Sequence, residues 1–362
     1  MKKNKILSSV HIEPSGLCNL RCKYCYNSRF VDDVSLNKIS FEKWLCVIDE
    51  AYALGCRDFS ISGGEFLIYP YCEEMLNYIA NKNVERIAVF SNAMNINEEF
   101  CKNFSLIEPK LEFRISFDGY SKADAIRVGS SYKKIIDSLR LLRLYNYPVV
   151  INTLATTINY QDFNNMFDDF KNLDIQKWLI DIPFKQGRAE SFWESLAPNF
   201  LVVEVLCNII KRYLDELPQF VLEIQNLFKS QMLNEQCFRF DLNSGVCSYI
   251  SDGVTIRSDG NVAICPTLAL SCGNILEQSL EDIFLSKERE SLLSIKVQDL
   301  NKCPNCKYVN ICGGGCRADA LAEKGSLYDF DPIACYLMGV LEEKVLPILP
   351  ENMRERISSL IK

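Results

Sequence analysis

Seventeen cysteines and a single histidine, His11, stand in a chain of 362 residues, and this imbalance constrains the fold and its chemistry more than any other feature. Cysteine-dense secreted domains are short and follow a signal peptide. Here the start, MKKNKILSSVHIEPSG, has a positive end but no apolar core of signal length. No apolar run is long enough to span a bilayer, so no membrane partner is expected and the chain is placed in the cytoplasm. Thiols in that number inside a cell point to metal. One histidine leaves little for zinc, haem or ordinary acid–base catalysis, so the chemistry is expected to come from a cofactor. Lys and Arg number 40 against 47 Asp and Glu, a net charge of −7 without a long basic run, so no nucleic-acid partner is expected.

Residues 5 to about 190 alternate β-rich runs with amphipathic helical stretches. Strand candidates begin near residues 6, 58, 86, 111, 149 and 177. Between them lie patterns such as residues 40–55, with Ser40 as N-cap and Gly55 as stop. Strands alternating with helices imply a parallel sheet. Six such units suit an α/β fold of the partial (β/α)6 TIM-like barrel type, with an open doubly wound sheet as the alternative. Residues 192 to about 232 read as long helices. Beyond them cysteines and glycines cluster, and GVTIRSDGNVAIC reads as a hairpin turning at Asp259-Gly260. The expected division is a barrel with connecting helices over 1–234, a small Cys-rich domain over 235–345 and a tail over 346–362.

The first thiol group is Cys18-x3-Cys22-x2-Cys25, directly after the first strand. That position is a loop at a strand's C-terminal end, where α/β barrels gather their active sites. Three thiolates so close can hold three irons of one [4Fe–4S] cluster and leave the fourth open to a small molecule. A zinc knuckle is the alternative, but a fourth ligand is lacking nearby. His11 is expected to pack within its strand. Further polar groups end later strands: Ser62-Gly63-Gly64-Glu65-Phe66, Ser91-Asn92-Ala93, Ser116-Phe117-Asp118-Gly119, and then Arg127 and Gln186-Gly187-Arg188. Read alone, the first is a turn and Arg127 a surface ion pair.

The second group is Cys247, Cys265, Cys303-x2-Cys306-x5-Cys312-x3-Cys316 and Cys335. Read without context, these thiols suit one or two zinc sites of four cysteines, with Cys237 or Cys272 as the eighth ligand. Cys46, Cys56, Cys72, Cys101 and Cys207 lie in apolar helical patterns and are expected to pack as small hydrophobes.

The run CNLRCKYCY resembles the signature of the radical S-adenosylmethionine (SAM) superfamily, in the form of its peptide-modifying branch. The GGEF turn resembles the family's GGEP motif, with Phe66 in place of the proline. The resemblance implies that Gly63, Gly64 and Glu65 receive the SAM amino group, that Ser91 and Asn92, where the family often has Thr-Asn-Gly, also bind the cofactor, and that Ser116 and Asp118 face its methionine and ribose. It implies that Arg127 holds the SAM carboxylate, a bidentate task for which a guanidinium is suited. The C-terminal cysteines resemble the SPASM domain, which holds two auxiliary [4Fe–4S] clusters. That resemblance implies Cys303, Cys306, Cys312 and Cys335 on an outer cluster. It implies Cys247, Cys265 and Cys316 on an inner one, completed by Cys237, with Cys272 or an iron left open to substrate as the alternatives. Together the two resemblances cover roughly residues 8–340.

What this implies is reductive cleavage of SAM at the cluster of Cys18, Cys22 and Cys25. The 5′-deoxyadenosyl radical so made abstracts hydrogen from a ribosomally made peptide or protein and leads to a crosslink, thioether or epimer. An electron donor such as flavodoxin or ferredoxin is expected. The chain leaves no room for an N-terminal peptide-binding domain, so the substrate is expected either to bind directly at the barrel mouth or to be delivered by a separate recognition protein. A formylglycine-forming sulfatase maturase is a second reading. Pro266 argues against it, because that group usually has Asp at this position. Dehydrogenation of a small alcohol or sugar is a third reading, and a zinc-binding protein without catalysis the remote one.

Overall fold

The computed structural model describes residues 6–109, 111–230, 239–247, 252–268 and 270–362. Eleven strands form one sheet. They are β1 Ser9–Ile12, β2 Asp58–Ile61, β3 Arg86–Ser91, β4 Glu112–Ser116, β5 Val149–Leu154, β6 Lys177–Asp181, β7 Val221–Ile224, β8 Phe228–Lys229, β9 Gly253–Ile256, β10 Asn261–Ala263 and β11 Ser271–Asn274. Their spatial order is β8-β7-β6-β5-β4-β3-β2-β1-β9-β10-β11. Strands β1 to β6 pair in parallel in sequence order, the six-stranded core of a partial barrel.

One face of these strands is apolar and wholly buried, with Phe59, Ile61, Ile87, Val89, Phe113, Ile115, Val149, Ile151, Trp178 and Ile180 in the core. Helices cover it: α1 Phe41–Ala53, α2 Cys72–Ala80, α3 Glu98–Phe104, α4 Tyr132–Leu144 and α5 Phe163–Asn172. Each presents one buried stripe, as Trp44, Val47, Ile48 and Ala51 do on α1. Ser40 caps α1 through Lys43 N, 3.2 Å away, and Gly55 at φ +105° follows its end, as the sequence leads one to expect. The opposite face is polar. Arg86 pairs with Asp58 at 2.9 Å and Glu112 at 2.8 Å, and Lys177 with Glu223 at 2.9 Å.

Two features depart from the sequence reading. The span 192–232 is not helical throughout. Helices α6 Ala189–Leu196 and α7 Phe200–Glu216 end at Leu217, left-handed at φ 45°. Strand β7 then runs parallel to β6. Pro218 breaks the helix, and the β-branched pattern of Val221–Ile224 is too short to announce itself beside a long apolar helix. The second departure is at the other edge. The hairpin β9–β10 forms with Thr255 opposite Ala263 and Ile256 opposite Val262. Its first strand also pairs in parallel with β1, Ser9 opposite Gly253 and Ile12 opposite Ile256. The Cys-rich segment thus extends the barrel sheet at the strand that leads to Cys18. The boundary near residue 235 lies outside the described residues. Within 346–362, the helix Glu351–Ser358 buries Met353 and Ile357 in the main core. Cys56 and Cys101 are buried there too, whereas Cys46 is exposed on α1.

Candidate active site

A cavity of ≈ 280 Å³ lies at the C-terminal ends of the parallel strands. Its wall gathers Cys18, Cys22 and Cys25 from the loop after β1, Gly63, Gly64 and Glu65 after β2, Ser91 and Asn92 from the end of β3, Ser116 of β4, and Arg127. The sequence-derived set therefore converges, with one exception. Asp118 is not in this wall and stands one layer behind it. It accepts hydrogen bonds from Tyr24 Oη and from Leu154 N at 2.8 Å. Its Oδ2 lies 3.4 Å from Arg127 Nη1. Asp118 thus aims Tyr24 and Arg127, both of which line the cavity.

The glycine turn is shaped by the loop it packs on. A Cβ on Gly64 would meet Leu17 O at 2.1 Å, and one on Gly63, at φ +115°, Ser15 O at 2.4 Å. Gly64 N donates to Ser15 O and Glu65 N to Leu17 O, so two strand-end loops are laced together. The Glu65 carboxylate accepts from Ser91 Oγ at 2.8 Å, Asn92 N at 2.7 Å and Leu67 N at 3.2 Å. Burial still pushes its pKa up. The cysteine loop is further tied by a two-residue antiparallel ladder, Arg21–Val128 and Cys22–Arg127. On its other side Arg188 donates to Cys22 O at 2.7 Å and grips Asp32 at 2.6 and 2.8 Å. Gly187 fits because a side chain there would strike Cys25 O at 2.6 Å.

Burial pushes Cys18 up to about 11 and Cys25 up to about 12. Burial raises the packing thiol Cys56 as far, so it is the convergence of the three thiols on one cavity that marks them as ligands. Arg127 is 2% exposed, and its Nε is buried without a hydrogen-bond partner. A charged donor left open at a cavity wall fits a carboxylate ligand. These residues therefore fit a cluster with SAM on it.

Sequence reading missed Asn152, Leu154, Asp181 and Phe184 at the ends of β5 and β6, and Thr267, which reaches the same cavity from beyond β10. Asn152 Oδ1 is buried without a hydrogen-bond partner. Burial, and then Glu223, raise Asp181 to about 6. The available signal was position alone, since both follow the inward alternation of their strands.

In the C-terminal segment Cys303, Cys306, Cys312 and Cys335 line one cavity of ≈ 260 Å³, among Val309, Phe330 and Met338. This is the set expected for the outer cluster. Four thiols around one hollow fit a cubane. Cys312 is pushed up to about 12 and Cys335 to about 11, both by burial. For the expected inner set, Cys247 lines an adjoining cavity of ≈ 200 Å³ with Cys312 and Gly315. Cys265 Sγ lies 3.1 Å from Thr267 Oγ1. Cys316 opens helix α8 Arg317–Lys324, its N–H donating to Asp331 at 2.8 Å. Cys237 lies outside the described residues, and Cys272 is buried in the main core on β11.

Comparison with known proteins gives this arrangement a class. The Radical SAM superfamily profile matches residues 12–170, and the SPASM profile, an iron-sulfur cluster-binding domain, matches 247–307. The chain is a radical SAM enzyme with a C-terminal SPASM domain, and the two domains imply [4Fe–4S] clusters and SAM as its cofactors. Among relatives, a cysteine-type anaerobic sulfatase-maturating enzyme of Clostridium novyi is 26% identical over 353 residues, covering 86% of this chain and 88% of that one. The sporulation killing factor maturation protein SkfB of Bacillus subtilis is 24% identical over 306 residues, covering 83% and 68%. In fold the chain is similar to anSMEcpe with bound AdoMet, TM-score 0.74 at 19% identity over 97% of each chain. It is also similar to Streptococcus suis SuiB bound to precursor peptide SuiA, TM-score 0.71 at 15% identity over 91% and 76%.

Proposed function

We propose that the protein modifies a ribosomally made peptide or protein by hydrogen abstraction, with Cys18, Cys22 and Cys25 holding the cluster that binds SAM. The observation that carries this is the single cavity in which three thiols, the glycine turn and an open guanidinium meet. When bound, the cluster and SAM supply a carbon radical that takes a hydrogen atom from the substrate. The chain's own residues do the holding. Glu65 and the carbonyls of its turn receive the ammonium, Arg127 the carboxylate, and Ser91, Asn92 and Ser116 the remaining polar edge. Asp118 keeps Arg127 aimed. Cys303, Cys306, Cys312 and Cys335 hold an outer auxiliary cluster. Cys247, Cys265 and Cys316 hold an inner one, with Cys237 as fourth ligand. An electron carrier of the flavodoxin or ferredoxin kind supplies reducing equivalents in the cytoplasm, and the peptide binds at the barrel mouth directly or through a separate recognition protein.

A peptide substrate is supported by relatives and structural neighbours of that kind: SkfB matures a sporulation killing factor, and SuiB is seen with a precursor peptide. The match to a cysteine-type sulfatase-maturating enzyme favours formylglycine formation as the second reading. Pro266 speaks against it, standing where an acid is usual in that group. Reconstituted enzyme with SAM and reductant separates the two by mass spectrometry. A peptide encoded beside the gene should lose hydrogen and keep its sulfur, or exchange hydrogen with deuterated solvent at one α-carbon. Loss of sulfur from a cysteine peptide of sulfatase type, with the neighbouring peptide untouched, overturns the preference.

A further inference from the structure

Behind the cavity wall lies a buried charge contact that the binding roles above leave without a purpose. Glu13 directly follows β1 and is 1% exposed. Its carboxylate accepts from Tyr26 Oη at 3.2 Å and Asn27 Nδ2 at 3.4 Å. These residues follow Cys25 immediately. Asn27 Nδ2 also donates to Gly63 O at 3.2 Å. One carboxylate thus ties the cysteine loop to the glycine turn.

On its far side stands Arg257, in the turn between β9 and β10. Arg257 Nε lies 3.9 Å from Glu13 Oε2, and the two side chains are 12% and 2% exposed. That Nε has no hydrogen-bond partner. At its other end Arg257 Nη2 donates to Pro266 O at 2.7 Å. Pro266 separates Cys265 from Thr267, which lines the SAM-side cavity. The guanidinium also lies 6.0 Å from the ring centre of Phe30, in the short helix after the cysteine loop. His11 Nε2 is 3.9 Å from Glu13. Burial, aided by Arg114 and Arg257, lowers His11 to about 4, so it carries no competing charge.

We propose that Arg257 is a positioning residue through which the C-terminal domain sets the geometry of the SAM site. Through Glu13 it fixes Tyr26 and Asn27 beside Cys25, and through the Pro266 carbonyl it fixes Thr267 in the opposite wall. It touches neither SAM nor substrate. A buried ion pair is sensitive to loss of one partner, because the other charge is left uncompensated. The inference rests on the proposed assignment of Cys18, Cys22 and Cys25 to the SAM cluster.

The test uses the full chain, reconstituted anaerobically, as Arg257→Gln, Arg257→Lys, Glu13→Gln and the double variant Arg257→Gln with Glu13→Gln. SAM alone is the probe. Iron content, the paramagnetic resonance signal of the reduced protein with and without SAM, and release of 5′-deoxyadenosine across pH are measured. Arg257→Gln should keep its iron, show a weakened response of the signal to SAM, and release 5′-deoxyadenosine about tenfold more slowly. Arg257→Lys should recover part of that loss. The double variant should be no worse than the poorer single one, as expected for neighbours in one network.

The pH profile is the readout that general scaffolding would not move. Burial pushes Glu13 up to about 7, while Arg257, Tyr26 and Asn27 pull it down and Asp259 pushes it up. Removing Arg257 takes away a downward pull, so the acid limb should move to higher pH, and Glu13→Gln should abolish it. Wild-type release by Arg257→Gln, or additive losses with an unshifted limb, overturns the proposal. Should Arg257→Gln fail to hold iron, Arg257→Lys carries the test, and a wild-type rate and signal there overturn it. A Cys22→Ala control separates the readings. Persisting 5′-deoxyadenosine in that control sinks the cluster assignment, whatever Arg257 does.

Discussion

The two cavities that gather three or more thiols rest on different scaffolds. The one beside Cys18, Cys22 and Cys25 is walled by the ends of six parallel strands, and its polar side chains are held by others behind them. Glu65 takes three donors, and Asp118 aims Arg127 without reaching the cavity. The one beside Cys303, Cys306, Cys312 and Cys335 is walled by a 3₁₀ turn, the four-residue helix Val309–Cys312 and helix α9 Pro332–Val340. Gly313, Gly314 and Gly315 follow in succession at φ 60°, 95° and 74°. Apart from its thiols this wall is mostly apolar, with Val309, Phe330 and Met338. A rigid strand-end site can discriminate a small polar ligand, because each donor and acceptor has a fixed place. An apolar pocket of loops can only enclose a cluster and govern its surroundings. Single polar changes should therefore matter in the first cavity, and only the thiols in the second.

The largest effect is expected from Cys22→Ala, which should reduce 5′-deoxyadenosine release under anaerobic reduction to background. Release that persists would break the comparison at its root. Next, Cys306→Ala should lower iron by about four of about twelve per chain, abolish product, and leave SAM cleavage within about threefold. If cleavage falls with product, the second cavity supports the first mechanically. Arg127→Ala should raise the apparent KM for SAM about 10- to 100-fold, the scale of a lost hydrogen bond to a charged group. An unchanged KM would move the carboxylate elsewhere.

The smallest effect concerns Asp181, at the cavity end of β6. Its pKa is raised by burial and then by Glu223, so the folded state disfavours its ionised form. That penalty is absent below the unfolded value of about 4 and complete above about 6. Asp181→Asn should therefore be more stable to denaturant than wild type at pH 7.5, by roughly 1–2 kcal/mol after allowance for solvent in the cavity. The difference should vanish below pH 4. A difference that does not change with pH would mean that the carboxylate is already compensated.

The barrel was legible because its signals are local. Period-2 runs marked β1 to β6, the Asp259-Gly260 turn marked the hairpin, and the spacing of Cys18, Cys22 and Cys25 marked the loop. Strand β7 escaped because four residues carry little pattern beside a seventeen-residue helix. Asn152, Asp181 and Thr267 escaped because each is a lone polar residue whose neighbours in space are far in sequence. Asp118 was found as a site residue but sits behind the wall, since a motif gives membership and not depth. Cys46 follows the apolar spacing of α1 yet is exposed, a position at the margin of the buried stripe.

The pairing of β1 with β9 also bears on how the molecule comes into being. Hydrogen bonds link Ser8 N to Asp252 O and Glu13 N to Ile256 O, so the strand that delivers the cysteine loop keeps an open edge until the last third of the chain exists. Contacts of such sequence separation are slow to form, and an unpaired edge invites foreign strands. During synthesis, which proceeds at about 5–20 residues per second, the first thiols emerge long before their loop can be pinned. A product terminated before residue 253 would carry that strand edge exposed.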